Sequence, residues 1–207
     1  MRVTVLGICG GSGSGKSTVA SMLANYGACV LDADRVYHEL VDAPSACVRA
    51  LAEEFGEGIV AADGSLDRRA LSRIVFFGDG APQRLERLNA ISHAYVKDAI
   101  HSRMADLAAE GVGCVVIDAP LLFESHLDAD CDAVIAVIAD DAVRVERMVR
   151  RDAITEEEAW RRIRAQLSND ELCRRCRFTV RNDGDTHALA DALQALWEQL
   201  KQAYFMN

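Results

Sequence analysis

Residues Gly10-Gly11-Ser12-Gly13-Ser14-Gly15-Lys16-Ser17 satisfy the pattern G-x-x-x-x-G-K-[ST] at every required place. Glycines in such a run let backbone N–H groups turn inward around a phosphate. A helix that starts at the lysine adds the partial positive charge of its N-terminus. Lys16 is then placed for the β- and γ-phosphates of a nucleoside triphosphate, and the Ser17 hydroxyl for Mg²⁺. A Gly/Ser-rich loop joining strand to helix needs the glycines but not a Lys-Ser pair at the first helical turn. Lys16 also stands out by scarcity, since the chain has three lysines, at 16, 97 and 201.

Phosphoryl transfer needs a group to receive the acceptor's proton and cations to offset the charge in flight. Asp34, just after the second apolar run, is the candidate base. Asp32 is the competing carboxylate, and an aspartate here is equally suited to capping the helix that follows. Arg147 and Arg151 are four apart and share a helix face, and with Arg144 and Arg150 they make a basic strip. Without a triphosphate nearby such a strip reads as a solvated face. Asp118 closes the third apolar run, but Ala119-Pro120 follows it rather than the glutamate of a motor ATPase. No Asn-Lys-x-Asp guanine reader is present. A small kinase fits better than a GTPase or a motor.

These residues need a frame. Short apolar runs at 3–8, 28–31, 112–117, 133–138 and 178–180 read as strands. Helices are expected over 16–26, 143–151 and 156–172, and in a last helix carrying Leu189, Leu193, Leu196, Trp197 and Leu200. Residues 35–110 are mostly helical, broken at Pro44, at 56–64 and at 78–82. Strands alternate with helices, and the third and fourth are nearly all apolar. That predicts an α/β fold with a five-stranded parallel sheet covered by helices on both faces. With the glycine loop after the first strand, it is the P-loop NTPase fold.

Composition narrows the class. Half of the 207 residues are hydrophobic and 27% are charged, the mix of an ordinary globular chain of one domain. No apolar run approaches the length of a membrane span. Gly10 interrupts the opening apolar stretch too early for a secretory signal, which gives cytoplasmic location as the expectation. The net charge of −9 argues against a general nucleic-acid binder. Residues 144–181, however, hold eleven arginines against seven acids, so a basic region sits in an acidic chain. The seven cysteines, with no export signal, read as reduced thiols, and the Cys173-x-x-Cys176 pair lacks the further ligands of a zinc site.

The chain resembles the dephospho-coenzyme A kinase family nearly end to end. The resemblance rests on the loop at 10–18 and on Asp32-Ala33-Asp34. It continues through Phe55-Gly56, Asp63-Gly64, Leu66-Asp67-Arg68, Leu71 and Val75-Phe76 to Pro120-Leu121-Leu122-Phe123-Glu124. Arg147 and Arg151, Gln166 and Asn182-Asp183-Gly184 complete it. There are departures. The family's His-Pro is His93-Ala94 here, Gln is common where Arg144 stands, and Thr and Ile are common where Cys9 and Ser12 stand.

The resemblance implies transfer of the ATP γ-phosphoryl group to the ribose 3′-hydroxyl of dephospho-CoA, with Mg²⁺. It implies ATP binding by Gly11, Ser12, Gly13, Ser14, Gly15, Lys16, Ser17, Thr18, Arg147, Arg151 and Asn182, the last near the adenine. The acceptor would meet Asp34, Arg68, His93, Pro120, Leu121, Leu122 and Glu124. Lys16, Asp34 and Arg147 would act in catalysis and Ser17 would hold the metal. A helical acceptor-binding insertion over 35–110 and an Arg-bearing lid over 141–172 come with the resemblance, in a single P-loop kinase domain. Leu121 and Leu122 could equally be core, and Phe76 and Phe77 are expected to be core. The partners implied are two small molecules, without nucleic acid or membrane, and a monomer is favoured. The competing readings are another small kinase, acting on a nucleoside, a nucleotide or shikimate, and an ATP-gated regulator that uses the arginine strip to contact RNA.

Overall fold

The computed structural model describes residues 3–205. The chain runs β1 Thr4–Cys9, α1 Lys16–Asn25, β2 Cys29–Asp32, α2 Ala33–Val41, α3 Ala46–Phe55, α4 Arg68–Phe76 and α5 Ala81–Ala109. It continues with β3 Cys114–Asp118, β4 Ala133–Ile138, α6 Asp141–Asp152, α7 Glu156–Arg164, α8 Asn169–Arg175, β5 Phe178–Arg181 and α9 Thr186–Leu200. Met1 and Arg2, which open the stretch weighed above as a leader, lie outside the described residues. Two compact units form. One is residues 32–105, and the other comprises the chain before and after it.

The larger unit carries a five-stranded parallel sheet in the order β2-β3-β1-β4-β5. Leu6 lies opposite Val116 and Ala133, and Ile8 opposite Asp118 and Ile135. β1 and β3 are buried along their whole length, as strands covered on both faces must be. On one face Leu6, Ile8, Val116, Ile135 and Val137 meet Val19 and Leu23 of α1 and Leu189, Leu193, Leu196 and Trp197 of α9. Each large aliphatic side chain buried there contributes roughly 1.5–3 kcal/mol. By strand alternation Gly7 faces the other side, where a Cβ would lie 2.9 Å from Leu122. Because the strands run the same way, the ends of β1, β3, β4 and β5 share one edge. In open α/β sheets that edge binds ligands.

The smaller unit is helical. Val41, Cys47, Val48, Leu51, Ile59, Leu66, Leu71 and Val75 form its core, with Tyr37, Ile91 and Tyr95 packed against them. Its helices begin where capping side chains stand. Ser45 accepts from the Val48 N–H at 3.1 Å, and Asp67 from the N–H groups of Arg69 and Ala70 at 3.0 Å. α5 runs unbroken through His93-Ala94. A proline at 94 would remove an i→i−4 hydrogen bond and kink the helix, whereas alanine lets it continue.

Two expectations are corrected. The single helix over 156–172 is two helices, because Ser168 and Glu171 form a capping box that starts α8 afresh. Phe76 and Phe77 are not core but exposed, by 56% and 69%. They end α4, where Arg84 holds the following turn by donating to the carbonyls of Phe77 and Asp79 at 2.7 Å. No helix of the described residues is long and apolar enough to cross a membrane.

Candidate functional site

Between the end of β1 and the start of α1 the backbone makes a turn closed by the Ser14 N–H donating to the Gly11 carbonyl at 3.1 Å. Two glycines are obligatory in it. Gly13 and Gly15 have φ of +80° and +92°, the left-handed region that L side chains rarely adopt. A Cβ on Gly13 would lie 2.7 Å from the Arg144 carbonyl oxygen, and one on Gly15 would strike the Asn182 carboxamide. The Thr18 and Val19 N–H groups donate to the Gly15 carbonyl at 3.0 and 3.2 Å. Those of Gly13, Gly15, Lys16 and Ser17 meet no acceptor among the described residues. The Ser14 hydroxyl is buried and has no partner among the described residues. A run of unspent donors at a helix N-terminus is an anion cradle, and bound phosphate oxygens would satisfy it.

Lys16 and Asp118 form an ion pair, the aspartate coming from the last position of β3. Both side chains are largely shielded, with 15% and 9% exposed. Ser17 is exposed, and no hydrogen bond engages its hydroxyl among the described residues. Its position on the first turn of α1, beside the unspent donors, suits a divalent cation that carries phosphate and water as its other ligands. Such a cation needs few protein oxygens, and no group of three His, Cys, Asp or Glu with metal-binding geometry occurs among the described residues.

The arginines of α6 are not one strip. Arg144 is buried to 1% exposure and donates from Nε to the Ser12 carbonyl at 3.0 Å. Its other nitrogens reach Asp141 at 2.9 Å and Gln166 at 2.8 Å. Gln166 in turn accepts from the Ser12 N–H at 3.0 Å and donates to its hydroxyl at 2.9 Å. The crest of the loop is thus clamped from the linker that follows α7. Arg147 donates to the Asn182 carbonyl at 2.9 Å and the Gly13 carbonyl at 3.3 Å. Arg151 is exposed and bonded to Asp152 at 2.7 and 3.0 Å. Asn182, just beyond β5, is buried and donates to the Ser14 carbonyl at 2.8 Å. Gly11 through Ser17, Arg147 and Asn182 therefore converge, while Arg151 and Thr18 stand at the exposed rim.

In the turn after β3, Pro120, Leu121 and Glu124 are exposed. Leu122 is fully buried, so its expected acceptor contact gives way to packing under Gly7. In the smaller unit, Asp32 is the cap of α2, accepting from the Arg35 N–H at 3.0 Å. That leaves Asp34 uncapping and exposed on the first turn. Arg68 bonds Asp42 and the His38 ring, each at 2.5 Å, and His93 is half-buried on α5.

A model of the dephospho-CoA kinase family matches residues 4–188. The chain belongs to the dephospho-CoA kinase family. A dephospho-CoA kinase of Moorella thermoacetica is 39% identical over 199 residues, covering 96% of this chain and 92% of its own. One from Anaeromyxobacter dehalogenans is 41% identical over 197 residues, covering 95% and 92%. A crystal structure from Thermus thermophilus matches with a TM-score of 0.79 at 33% identity, over 97% of this chain and 99% of that one. Within the dephospho-CoA kinase family this chain is an ATP-dependent phosphotransferase. The sequence did not reveal that Asp118 partners Lys16 or that Arg144 braces the loop. The only traces were an aspartate at a strand end and an Asp141/Arg144 spacing of i,i+3.

Proposed function

We propose that this chain transfers the γ-phosphoryl group of ATP to the ribose 3′-hydroxyl of dephospho-CoA, giving CoA and ADP. The observation that carries this reading is the cradle of unspent N–H donors at Gly13, Gly15, Lys16 and Ser17 in a chain of this family. The bond from the γ-phosphorus to its bridging oxygen breaks as the bond to the ribose oxygen forms, and the hydroxyl proton passes to Asp34. Lys16 leaves Asp118 to hold the β- and γ-phosphates. Arg147 moves from the Gly13 and Asn182 carbonyls onto the transferring group, and Arg151 closes from the rim. Asn182 and Thr18 flank the nucleotide. Arg68, His93, Pro120, Leu121 and Glu124 receive the acceptor, which stays clear of the buried Leu122.

Ser17 would hold Mg²⁺, which would supply charge to offset that of the phosphates. Both substrates are anionic while the chain carries −9, so the arginines of 144–181 supply the local attraction. We take the enzyme to be a cytoplasmic monomer with no nucleic-acid or membrane partner. The deciding experiment incubates ATP, Mg²⁺ and dephospho-CoA with the protein and reads the product by mass. Shikimate and nucleosides run in parallel. CoA is expected, and faster turnover of either competitor would overturn the substrate assignment.

A further inference from the structure

Two thiols meet at the base of the phosphate loop, a third stands three positions before one of them, and none has a part in the chemistry above. Cys9 ends β1 and is followed directly by Gly10. Cys176 follows α8 and is separated from Cys9 by 167 positions, yet the two sulfurs are 3.4 Å apart and both are buried. Cys173 is exposed and accepts a hydrogen bond from the Thr179 hydroxyl at 3.8 Å. The loop these sulfurs underlie is tightly held. A Cβ on Gly10 would collide with the Val137 carbonyl, and Arg144 and Gln166 grip Ser12.

We propose that Cys9 and Cys176 form a reversible disulfide that disables the phosphate loop when hydrogen peroxide is present. Cys176 retains 8% of its surface against 2% for Cys9, so it meets the oxidant first. Its sulfur attacks one peroxide oxygen; the S–O bond forms, the O–O bond breaks, and the leaving hydroxide takes up a proton as water. Cys9 then attacks the sulfur of the sulfenic acid. The S–S bond forms, the S–O bond breaks, and hydroxide leaves with the Cys9 proton as a second water. In sum two thiols and one peroxide give a disulfide and two waters, two electrons passing from sulfur to oxygen. A dithiol reverses it by two exchanges.

The surroundings favour this pair over the other buried thiols. A hydrogen bond from Cys9 holds the Cys176 thiol below its ordinary value against the opposing effect of burial, and Arg175 adds to the lowering. The same contact and burial push Cys9 upward, which suits it to the second step. Burial raises Cys114 and Cys131 to about 12, where thiolate is scarce. Bonding requires the sulfurs to close from 3.4 Å to about 2.05 Å. The new bond draws Cys9 toward Cys176, and Gly10, joined directly to Cys9, carries that displacement into the loop; a misplacement of about 1 Å at a reacting centre costs up to a hundredfold in rate.

The test treats the full-length protein with hydrogen peroxide, blocks remaining thiols and maps the peptides by mass. A peptide pair joining Cys9 to Cys176 and lacking two hydrogens is expected. Acceptor-dependent ADP release should fall on the order of tenfold to a hundredfold and return with dithiothreitol. Cys176→Ser should keep its basal rate and resist peroxide, whereas Cys173→Ser should remain as sensitive as the parent. The peptide map of the parent protein needs no variant to fold and no substrate to be known, so it stands even if the acceptor assignment fails. A Cys173–Cys176 link, a sulfinic acid on Cys176 beside a free Cys9, or a Cys9–Cys176 link with unchanged turnover would each overturn the proposal.

Discussion

The Lys16 ammonium is ion-paired with the Asp118 carboxylate beside a loop in which the N–H groups of Gly13, Gly15 and Ser17 meet no acceptor among the described residues. In the proposed mechanism, nucleotide binding exchanges that carboxylate for phosphate. The proposed role puts the lysine charge where negative charge grows in the transition state, and backbone donors, which carry only partial charge, do not replace it. Lys16→Ala should lower kcat/KM for ATP by about a hundredfold or more, with an unchanged circular dichroism spectrum. A variant with near-normal turnover would remove Lys16 from the mechanism.

Asp32 caps α2, accepting from the Arg35 N–H at 3.0 Å, and Asp34, the proposed base, is left exposed on the same turn. A base acts mainly in the transition state, so Asp34→Asn should cut kcat more than it raises KM for the acceptor. Steady-state kinetics with the acceptor varied separate the two effects. A rise in KM alone would make Asp34 a binding residue, and loss of thermal stability alone would make it part of the helix start.

The choice between Asp32 and Asp34 shows how far the sequence reaches. Both are aspartates before a helix, and only the dihedral path of the chain decides which one caps. The strands were legible because Val, Ile and Leu fill β1, β3 and β4 on both faces, and the loop was legible because phosphate binding demands a fixed glycine and lysine spacing. Local spacing could not show that Arg144 turns inward, since its partners Ser12 and Gln166 lie 132 and 22 positions away. Phe76 and Phe77 misled for the opposite reason. Aromatic residues at the end of an amphipathic helix look like core, yet the turn held by Arg84 leaves them facing water.

Arg144 is the brace of the loop, and its three hydrogen bonds to Ser12, Asp141 and Gln166 are made by one nearly inaccessible guanidinium. Arg144→Ala removes three charge-assisted bonds and empties the space of a buried side chain, and should cost about 2–4 kcal/mol of stability. Arg144→Gln, which restores a donor, should cost less. Denaturant unfolding measures both. Equal stability of the alanine variant and the parent would show that the clamp contributes nothing.

The helices after α6 carry an acid-sensitive element. Glu158 accepts from the Thr155 N–H at 2.9 Å and its hydroxyl at 3.0 Å, and Glu171 from the Ser168 N–H and hydroxyl at 3.1 Å. These bonds, the backbone one foremost, hold both carboxyls below the ordinary glutamate value. A carboxylate depressed in the folded state adds stability that is fully present above the ordinary glutamate range. That stability is lost as pH falls from there through the depressed value. Amide exchange in α7 and α8, corrected for the intrinsic pH effect, should therefore lose protection over that interval sooner than exchange in α1, which has no such cap. Glu158→Gln cannot titrate and should flatten the pH dependence in α7 while leaving that of α8 in place. If α7 of the variant still loses protection in step with the parent, the capping carboxylate is not the acid-sensitive group.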